Sequence, residues 1–553
     1  MSEISRESSP SSPWRWPLRL LATAYVLVGL VVMLRLSPRV PYADPWRFVE
    51  RYLSEPFPAN VVAADNGHRE VLPNLLRVVE LHTCAANQSL QIGVGMVLAM
   101  LTLALLLYSL RNLAPAGRSV GALVATVGLF WLGNGRKLAH GNESVPLFLV
   151  LSSLVLGLLA LTATRIEQRA RGAYAAAASG IVATFTFGSG IATFPAFAIV
   201  LVLQRAPVRH WLPVLVAALA AACGLLLGEQ GALPSHVAIF ERADLLLRWL
   251  GAPSVWAFIP MLDPDHAARL PFAQLRAMLT PLATAMHDVC GQSLSARWPA
   301  LAFGAFGSLW LAVATYRTYR DARGALERIA LGLAWFAVSV GALVVLLRTG
   351  FFRVHPEQVT TQRYVPWSML LWTGLLLHHV ARARSPARAL WPALTFALLL
   401  APSSVWTARY AWKQLAAAEL TAVGAAVSVL ANDFDLVETP EQDLRRALPL
   451  LAAHKAAMFA WPETALLGQR LGADSYTALT ITEVVVREVV NRLGAPGSAI
   501  TFASADTRST RVVLFGPDRI VRGIAIRLPC DTTWRGWLQG SCAKDQLGAS
   551  TLH

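Results

Sequence analysis

About eleven apolar segments, several of them shorter than an ideal membrane span, constrain the fold of this chain more than any other feature. A spanning helix needs about 20 apolar residues, and only helices or closed barrels satisfy their backbone hydrogen bonds in lipid. With 55% hydrophobic and 15% charged residues among 553, the chain is far less charged than soluble domains. The sequence therefore predicts a mainly α, polytopic membrane protein. The segments are Pro17–Leu36, Leu90–Leu110, Val120–Leu132, Val145–Ala163, Ala175–Phe187, Ile191–Leu203, Leu212–Leu227, Ala300–Tyr316, Ile329–Leu347, Val365–Val380 and Leu390–Ser403.

Arginines in alternate loops predict the orientation. They follow the second, fourth, sixth, eighth and tenth segments, at 111–118, 165–171, 205–209, 317–328 and 382–388. Basic residues mark the cytoplasmic side of membrane proteins, so we expect the N-terminus inside and the C-terminus outside, in a bacterial inner membrane. The 48 Lys and Arg against 33 Asp and Glu include only four lysines, so this pattern favours membrane orientation over nucleic-acid binding. No cleavage site follows the first segment, which we interpret as an anchor.

This topology divides the chain into a cytoplasmic tail (1–16), a transmembrane domain (17–403) and an extracytoplasmic C-terminal domain (404–553). Two long outer loops, 37–89 and 228–298, interrupt the transmembrane part. The first contains two predicted amphipathic helices, at 42–57 and from Pro73; the second contains an apolar piece, 245–262, that is re-entrant or interfacial.

The C-terminal domain is predicted to be small and α/β-rich. A capping box of Thr439, Pro440 and Gln442 starts a helix, and three β-prone runs follow at 499–504, 511–516 and 519–528. Two cysteine pairs are compatible with disulfides in an oxidising compartment, and unpaired thiols are equally compatible: Cys530 with Cys542, and Cys84 with Cys290. No cysteine or histidine spacing resembles a zinc site.

The residues that could take part in catalysis or binding fall on the predicted outer face, whereas the span interiors are nearly free of ionisable groups. That absence counts against ion-driven transport. The candidates are Asp44, Asp65, His68, Arg69, Lys137, His140, Asn142, Glu143, Arg353, His355, Glu357, Gln362, Arg363 and Tyr364.

Cations and acids at an outer membrane surface suit a reaction on a lipid-linked phosphate. Arg363 and Arg353 are candidates for binding that phosphate, because guanidinium groups pair with phosphate oxygens. Asp44 is the candidate general base for an acceptor hydroxyl. His68 and Arg69 are candidates for acceptor or phosphate contacts.

Three motifs carry a family resemblance: "DPWRF…NGHREVLPNLLRVVEL", "FTFGSGIATFP" and "TQRYVPWSMLLW". With the topology of residues 17–403, they resemble the GT-C superfamily of integral-membrane glycosyltransferases, and within it a group of bacterial membrane proteins. The resemblance implies a polyprenyl-phosphate-linked sugar donor and a role for Asp44, His68, Arg69, Arg363 and Tyr364. Many members have two adjacent acids in the first loop, but here Pro45 follows Asp44. No metal-binding acid pair is evident, so metal dependence is open and no cofactor is predicted.

Simpler interpretations exist for each of these residues. Asp44 before Pro45 is also a helix cap, and Arg363 with Tyr364 is also an interfacial anchor. The stretch Lys137–Glu143 is most simply a polar loop, and Gly188 and Gly190 permit a tight turn.

The predicted function is a glycosyltransferase that moves a sugar from a polyprenyl-phosphate donor to a glycan, lipid or protein acceptor. The alternatives are a transporter or flippase of a lipid-linked or soluble glycan, and a non-catalytic membrane scaffold.

Overall fold

The computed structural model describes residues 13–64, 68–163, 166–226, 243–262, 264–268, 270, 272–430, 441–472, 476–493, 496–505, 509–528 and 532–552. Helices dominate as far as residue 465, and strands follow. The helices are α1 (Arg15–Arg35), α2 (Pro45–Ser54), α3 (Ala59–Val62), α4 (Val71–Thr83), α5 (Ser89–Ser109), α6 (Pro115–Phe130), α7 (Gly135–Leu138), α8 (Gly141–Leu161), α9 (Ile166–Thr184), α10 (Thr193–Leu203), α11 (Val208–Leu226), α12 (Ala243–Leu250), α13 (Ala252–Leu262), α14 (Pro264–Ala268), α15 (Ala273–Arg320), α16 (Ala325–Leu347), α17 (Thr349–Val354), α18 (Val365–Arg382), α19 (Pro386–Val427), α20 (Glu441–Ala453) and α21 (Pro462–Ala465).

The chain forms two compact units, which we describe separately. The membrane unit comprises 1–35, 63–72 and 94–409, and the second unit comprises 36–62, 73–93 and 410–553. Several expected features lie outside the described residues: Asp65, the cap residues Thr439 and Pro440, Cys530 and the side chain of Cys290.

The membrane unit confirms the prediction of a polytopic helical protein. Eight helices are long and apolar enough to cross a bilayer within the described ranges. The other three predicted segments fall on α9, on α10 and on α18. Every predicted apolar segment is thus helical, and the number that cross remains a prediction.

Close helix packing in this unit depends on small residues. A Cβ on Gly128 of α6 would lie 2.2 Å from Thr373 Oγ1 of α18, and one on Gly374 of α18 would lie 2.4 Å from the Ala330 carbonyl oxygen of α16. Helices in lipid associate through such close backbone approaches, because burial from water does not drive them together. These contacts fix α18 against α6 and α16.

The apolar piece at 245–262 forms two short helices, α12 and α13, separated at Gly251. At 1.5 Å per residue, neither reaches the roughly 30 Å needed to cross the hydrocarbon core. A Cβ on Gly251 would lie 1.9 Å from the Ala300 carbonyl oxygen, and Trp249 is fully buried. Each helix alone is therefore too short to span, and a re-entrant or interfacial position for the pair stays a prediction.

The second unit places the first-loop helices in one hydrophobic core with C-terminal elements. Helix α2 begins at Pro45, and its buried Trp46, Phe48 and Tyr52 belong to the same core as Leu444 of α20 and the sheet residue Trp537. Helix α4 confirms the second predicted amphipathic helix. The apolar face of α2 is therefore buried against protein in this unit, whereas Leu75 and Val79 of α4 are exposed.

A seven-stranded antiparallel sheet completes the second unit, in the order β1-β7-β4-β5-β6-β3-β2. The indole N–H of Trp537 donates to the Leu420 carbonyl at 2.9 Å and fastens β6 to α19. Three strands match the predicted β-prone runs, namely β3, β4 and β5. The strands are β1 (Tyr476–Ala478), β2 (Ile481–Val489), β3 (Gly497–Ser504), β4 (Arg511–Phe515), β5 (Val521–Arg527), β6 (Thr533–Gln539) and β7 (Gly548–Leu552).

Glu80 on α4 is a buried acid held by amide groups. Its carboxylate accepts hydrogen bonds from the Leu90 backbone N–H at 2.7 Å and from the side chain and backbone of Gln91. Burial raises the pKa of Glu80 above its ordinary value, and these hydrogen bonds oppose the shift only in part.

Candidate functional site

Four separate segments of the membrane unit meet at one end of its helices. Two of them contain Phe187 and Gln362, and the other two contain His68 and the short helix α7. The His68 ring stacks on Phe187 with centroids 4.6 Å apart, and the Lys137 ammonium lies 5.4 Å from the same Phe187 centroid. Gln362 in turn approaches Gly135, the first residue of α7. Residues that are distant in sequence thus form one cluster.

Glu143 joins two cations at the centre of this cluster. Its carboxylate lies 2.7 Å from Lys137 Nζ and 2.9 Å from Arg136 Nε. This geometry is local in origin. Only two residues separate α7 from α8, and this short connection places Lys137 over the first turn of α8. The Lys137 side chain is only 7% exposed. The stretch that reads most simply as a polar loop is therefore a buried ion-pair centre.

Phe187 acts as a platform between the cations and the aromatic interior. One neighbour is His68, and another is Trp367, whose ring is stacked at 5.9 Å. A Cβ on Gly188 would lie 2.2 Å from His68 Nδ1, so the glycine makes room for the imidazole. Gly188 and Gly190 do not have positive φ angles. Close approach explains these two glycines better than the tight turn expected from the sequence.

Gln362 is a buried amide that is only 4% exposed. Neither its side-chain oxygen nor its nitrogen has a hydrogen-bond partner among the protein atoms that the structure describes. Its Nε2 would lie 3.0 Å from a Cβ on Gly135, so a side chain there would crowd it. A buried amide without partners is costly and is common at sites where a ligand supplies the missing bonds.

Two arginines flank the buried Tyr364, which follows Gln362. The Arg363 guanidinium lies 5.0 Å from the Tyr364 ring centroid, and Arg348 Nη1 donates to the Tyr364 hydroxyl at 3.3 Å. Arg348 follows the last residue of α16 and Arg363 precedes α18, so both lie at the same end of two packed helices. Arg363 is half-buried and makes no ion pair with a described carboxylate.

The cluster is strongly basic. Arg136, Lys137, Arg348 and Arg363 supply four positive charges and Glu143 supplies one negative, a net charge of +3 for these five side chains. Guanidinium groups bind phosphate oxygens in a planar, bidentate geometry, and an ammonium adds a point charge. The arrangement is chemically suited to an anion at the ends of apolar helices.

The membrane unit contains five of the six predicted site residues: His68, Arg69, Arg353, Arg363 and Tyr364. Arg69 is half-buried next to His68, and Arg353 on α17 is exposed. Asp44 belongs to the second unit, where it precedes α2 without a side-chain cap bond; its exposed carboxylate lies 3.6 Å from Arg47. Asp44 thus occupies the N-cap position of α2, as the sequence predicts, but its side chain makes no capping hydrogen bond.

Sequence reasoning named Lys137, Glu143 and Gln362 as candidates without assigning them to the site. The signal was present in the crowding of charges in "GNGRKLAHGNES". Among the described residues, no three His, Cys, Asp or Glu side chains are arranged to hold a metal ion.

The opposite ends of the same helices carry a second charged cluster. Arg382 at the end of α18 lies 3.0 Å from Glu327 at the start of α16 and 3.4 Å from Asp321. Asp321 also lies 3.2 Å from Arg323. This basic end coincides with the loops that predict the cytoplasmic face.

No family model matches this chain, and no curated protein does. Among solved structures, the chain is similar to the Archaeoglobus fulgidus oligosaccharyltransferase, with 14% identity and a TM-score of 0.35 over 71% of this chain and 52% of that one. It is also similar to ArnT from Cupriavidus metallidurans, with 15% identity and a TM-score of 0.32. The match covers 81% of this chain and 88% of ArnT. A third similar structure is the arabinosyltransferase EmbB from Mycobacterium smegmatis, with 12% identity and a TM-score of 0.29. The match covers 99% of this chain and 65% of EmbB.

The chain spans about half the length of the oligosaccharyltransferase. That protein has been solved with dolichol-phosphate, and ArnT with undecaprenyl phosphate.

Proposed function

We propose that this protein transfers a sugar from a polyprenyl-phosphate donor to a glycan, lipid or protein acceptor at the outer face of a bacterial inner membrane. The observation that carries the proposal is the basic cluster at the ends of apolar helices. It combines half-buried Arg363, Arg348 and buried Lys137 with the unused amide of Gln362. A lipid phosphate suits such a place, since its tail follows the helices while its charge meets the cations.

The proposed reaction assigns a role to each group. Asp44, as general base, takes the proton of the acceptor hydroxyl while that oxygen bonds to the anomeric carbon. The bond from that carbon to the phosphate oxygen breaks, and polyprenyl phosphate leaves as an anion. Arg363 and Lys137 stabilise the charge that develops on the leaving phosphate. His68 and Arg69 contact the acceptor or the phosphate, and Tyr364 holds the two arginines in place.

The distribution of charge along the spans supports a transferase over a transporter. Helix α5 has no charged residue, and α8 and α16 carry theirs only in the first turn. A proton- or ion-coupled pathway generally needs ionisable groups near the bilayer midplane. These helices place charge only at their ends.

The test compares surface glycans and glycolipids by mass spectrometry in a deletion strain. The strain is complemented, at matched membrane levels, with wild type, Arg363→Gln, Arg363→Lys, Asp44→Asn or the control Arg323→Gln. Wild type and the control restore the missing sugar. Arg363→Gln and Asp44→Asn lower it about 30- to 100-fold, since each removes an interaction with a charged group. Arg363→Lys restores it in part, because it keeps the charge but loses the planar fork.

Each result has a definite meaning. Full restoration by Asp44→Asn rules out the base assignment, and full restoration by Arg363→Gln rules out the phosphate contact. If no sugar changes on deletion, the transferase proposal fails as a whole. Accumulation of a complete lipid-linked glycan would then favour the flippase.

A further inference from the structure

An apolar groove lies in the membrane unit at the basic end, opposite the candidate site. Its volume is about 450 Å³, and it lies between α10, α15 and α16. Leu203 is the last residue of α10, and Tyr319 is the next-to-last of α15, so the mouth of the groove is at helix ends. The lining includes Ile199, Val202, Leu203, Ala312, Tyr319 and Trp335.

The groove opens to the surface of the unit. Val202 is 43% exposed and Tyr319 is 44% exposed, whereas Leu203 at the back is buried. In a membrane, the exposed side of such a groove faces lipid chains. An acyl chain can therefore enter from the side.

Two arginines stand at the mouth of this groove. The Arg205 guanidinium lies 5.2 Å from the Tyr319 ring centroid, and its Nη2 donates to the Tyr319 carbonyl at 3.4 Å. Arg320 lies 6.0 Å from the ring of Tyr316, which also lines the groove. The adjacent acid, Asp321, pairs instead with Arg323 and Arg382. Two exposed cations are thus held by aromatic rings above an apolar cavity.

We infer that this groove binds an anionic phospholipid, with one acyl chain along its apolar wall and the phosphate between Arg205 and Arg320. Basic pockets between helices at the cytoplasmic side bind anionic headgroups, and each arginine near an anionic surface adds to the attraction. Tyrosine and arginine also favour headgroup depth. Charge complementarity at the mouth selects a lipid with net negative charge over a zwitterionic one.

The test is native mass spectrometry of the full-length protein in detergent, titrated separately with phosphatidylglycerol, phosphatidylethanolamine and undecaprenyl phosphate. Wild type binds one phosphatidylglycerol about tenfold more tightly than phosphatidylethanolamine. The double variant Arg205→Gln/Arg320→Gln loses about that tenfold preference. Ala312→Trp fills the groove and weakens the binding of both phospholipids.

A matched control changes the same charge at the same end of the unit. Arg111 also lies over a tyrosine, 3.9 Å from the Tyr108 ring, but neither residue lines this groove. The variant Arg111→Gln/Arg118→Gln therefore keeps the wild-type preference. Thermal unfolding of every variant confirms that the fold is retained.

Three outcomes overturn the inference. One is unchanged phosphatidylglycerol binding in Arg205→Gln/Arg320→Gln, and another is an equal loss in the Arg111→Gln/Arg118→Gln control. The third is tighter binding of undecaprenyl phosphate than of phosphatidylglycerol at this groove, which would make it a carrier-lipid site.

Discussion

The two ends of the membrane unit carry similar charges in different surroundings. At the basic end, Asp321 and Arg323 pair while remaining 64% and 50% exposed. At the candidate site, Lys137 and Glu143 pair while only 7% and 17% exposed. Exposed pairs contribute little to stability, whereas buried ones are costly to form and costly to break. The contrast is between an exposed pair, Asp321 and Arg323, and a largely buried pair, Lys137 and Glu143, at the proposed site.

The largest expected effect comes from removing the acid at the candidate site. Glu143→Gln leaves Lys137 and Arg136 without their shared carboxylate, so we expect the free energy of unfolding to fall by about 3–5 kcal/mol. Chemical unfolding in mixed micelles measures this loss. Glu357→Gln is the control, since Glu357 is 64% exposed with His355 at 3.7 Å, and a change within about 0.5 kcal/mol is expected. An equal loss of free energy of unfolding in the two variants would contradict the expected difference between buried and exposed pairs.

A steric change sharpens the comparison at the same site. Gly188→Ala places a methyl group against His68 Nδ1, and relieving that clash costs about 1–3 kcal/mol. We expect a lower melting temperature and less sugar transfer, because the imidazole leaves the face of Phe187. Gly350→Ala is the control, since nothing lies within 4 Å of its added Cβ. A Gly188→Ala protein with wild-type melting and transfer would show that the His68 position is adaptable.

At the basic end, loss of an acid is expected to affect stability alone. Glu327 is buried and contacts Arg382, which remains partly solvated and retains Asp321. Because Arg382 keeps Asp321 as a partner, Glu327→Gln should cost only about 1–2 kcal/mol, less than a change that leaves both cations of a cluster without a carboxylate. Sugar transfer per folded molecule should match wild type. A specific loss of transfer at equal folded protein would mean that this end also takes part in the reaction.

The smallest effect is expected at Glu80, a buried acid held by amides. Because its folded-state pKa is raised, its contribution to stability is fully present below its ordinary pKa and is lost as pH rises through the raised value. Glu80→Gln removes that dependence. The free energy of unfolding of the variant should therefore vary less with pH above about 4.5. At neutral pH it should exceed the wild-type value by less than about 1 kcal/mol. Thermal unfolding across pH 4–8 measures this, with exposed Glu55→Gln as control. A steeper pH dependence in the variant would contradict the assignment.

Hydropathy predicted the membrane helices because their burial in lipid is a property of each segment alone. The sheet was harder. Strands β3 to β5 were expected from short β-branched and aromatic runs, but β2 contains the charged residues Glu483 and Arg487 and β7 reads "GASTL". Pairing with neighbours makes these segments strands, and a local pattern does not record pairing partners.

The candidate site was predicted in part for the same reason. Arg363 and Tyr364 could be recognised as candidates from the sequence, because arginine and tyrosine beside an apolar run have few roles. The burial of Lys137 and the unused amide of Gln362 depend on four distant segments packing together, which no single stretch encodes. The role of Asp44 remains a prediction that the Asp44→Asn strain tests.

The position of β7 within the sheet has a consequence for biosynthesis. Synthesis runs from the N-terminus, so the β2–β3 and β4–β5 hairpins can form as soon as each pair of strands has emerged. The second neighbour of β4 and the neighbour of β1 are both β7, and Tyr476 pairs with Leu552. Such long-range pairing is slow because a large loop must close first. The sheet is therefore completed only after Leu552 has been synthesised. Until then β4 is an unpaired edge strand to which folding chaperones or a neighbouring chain have access.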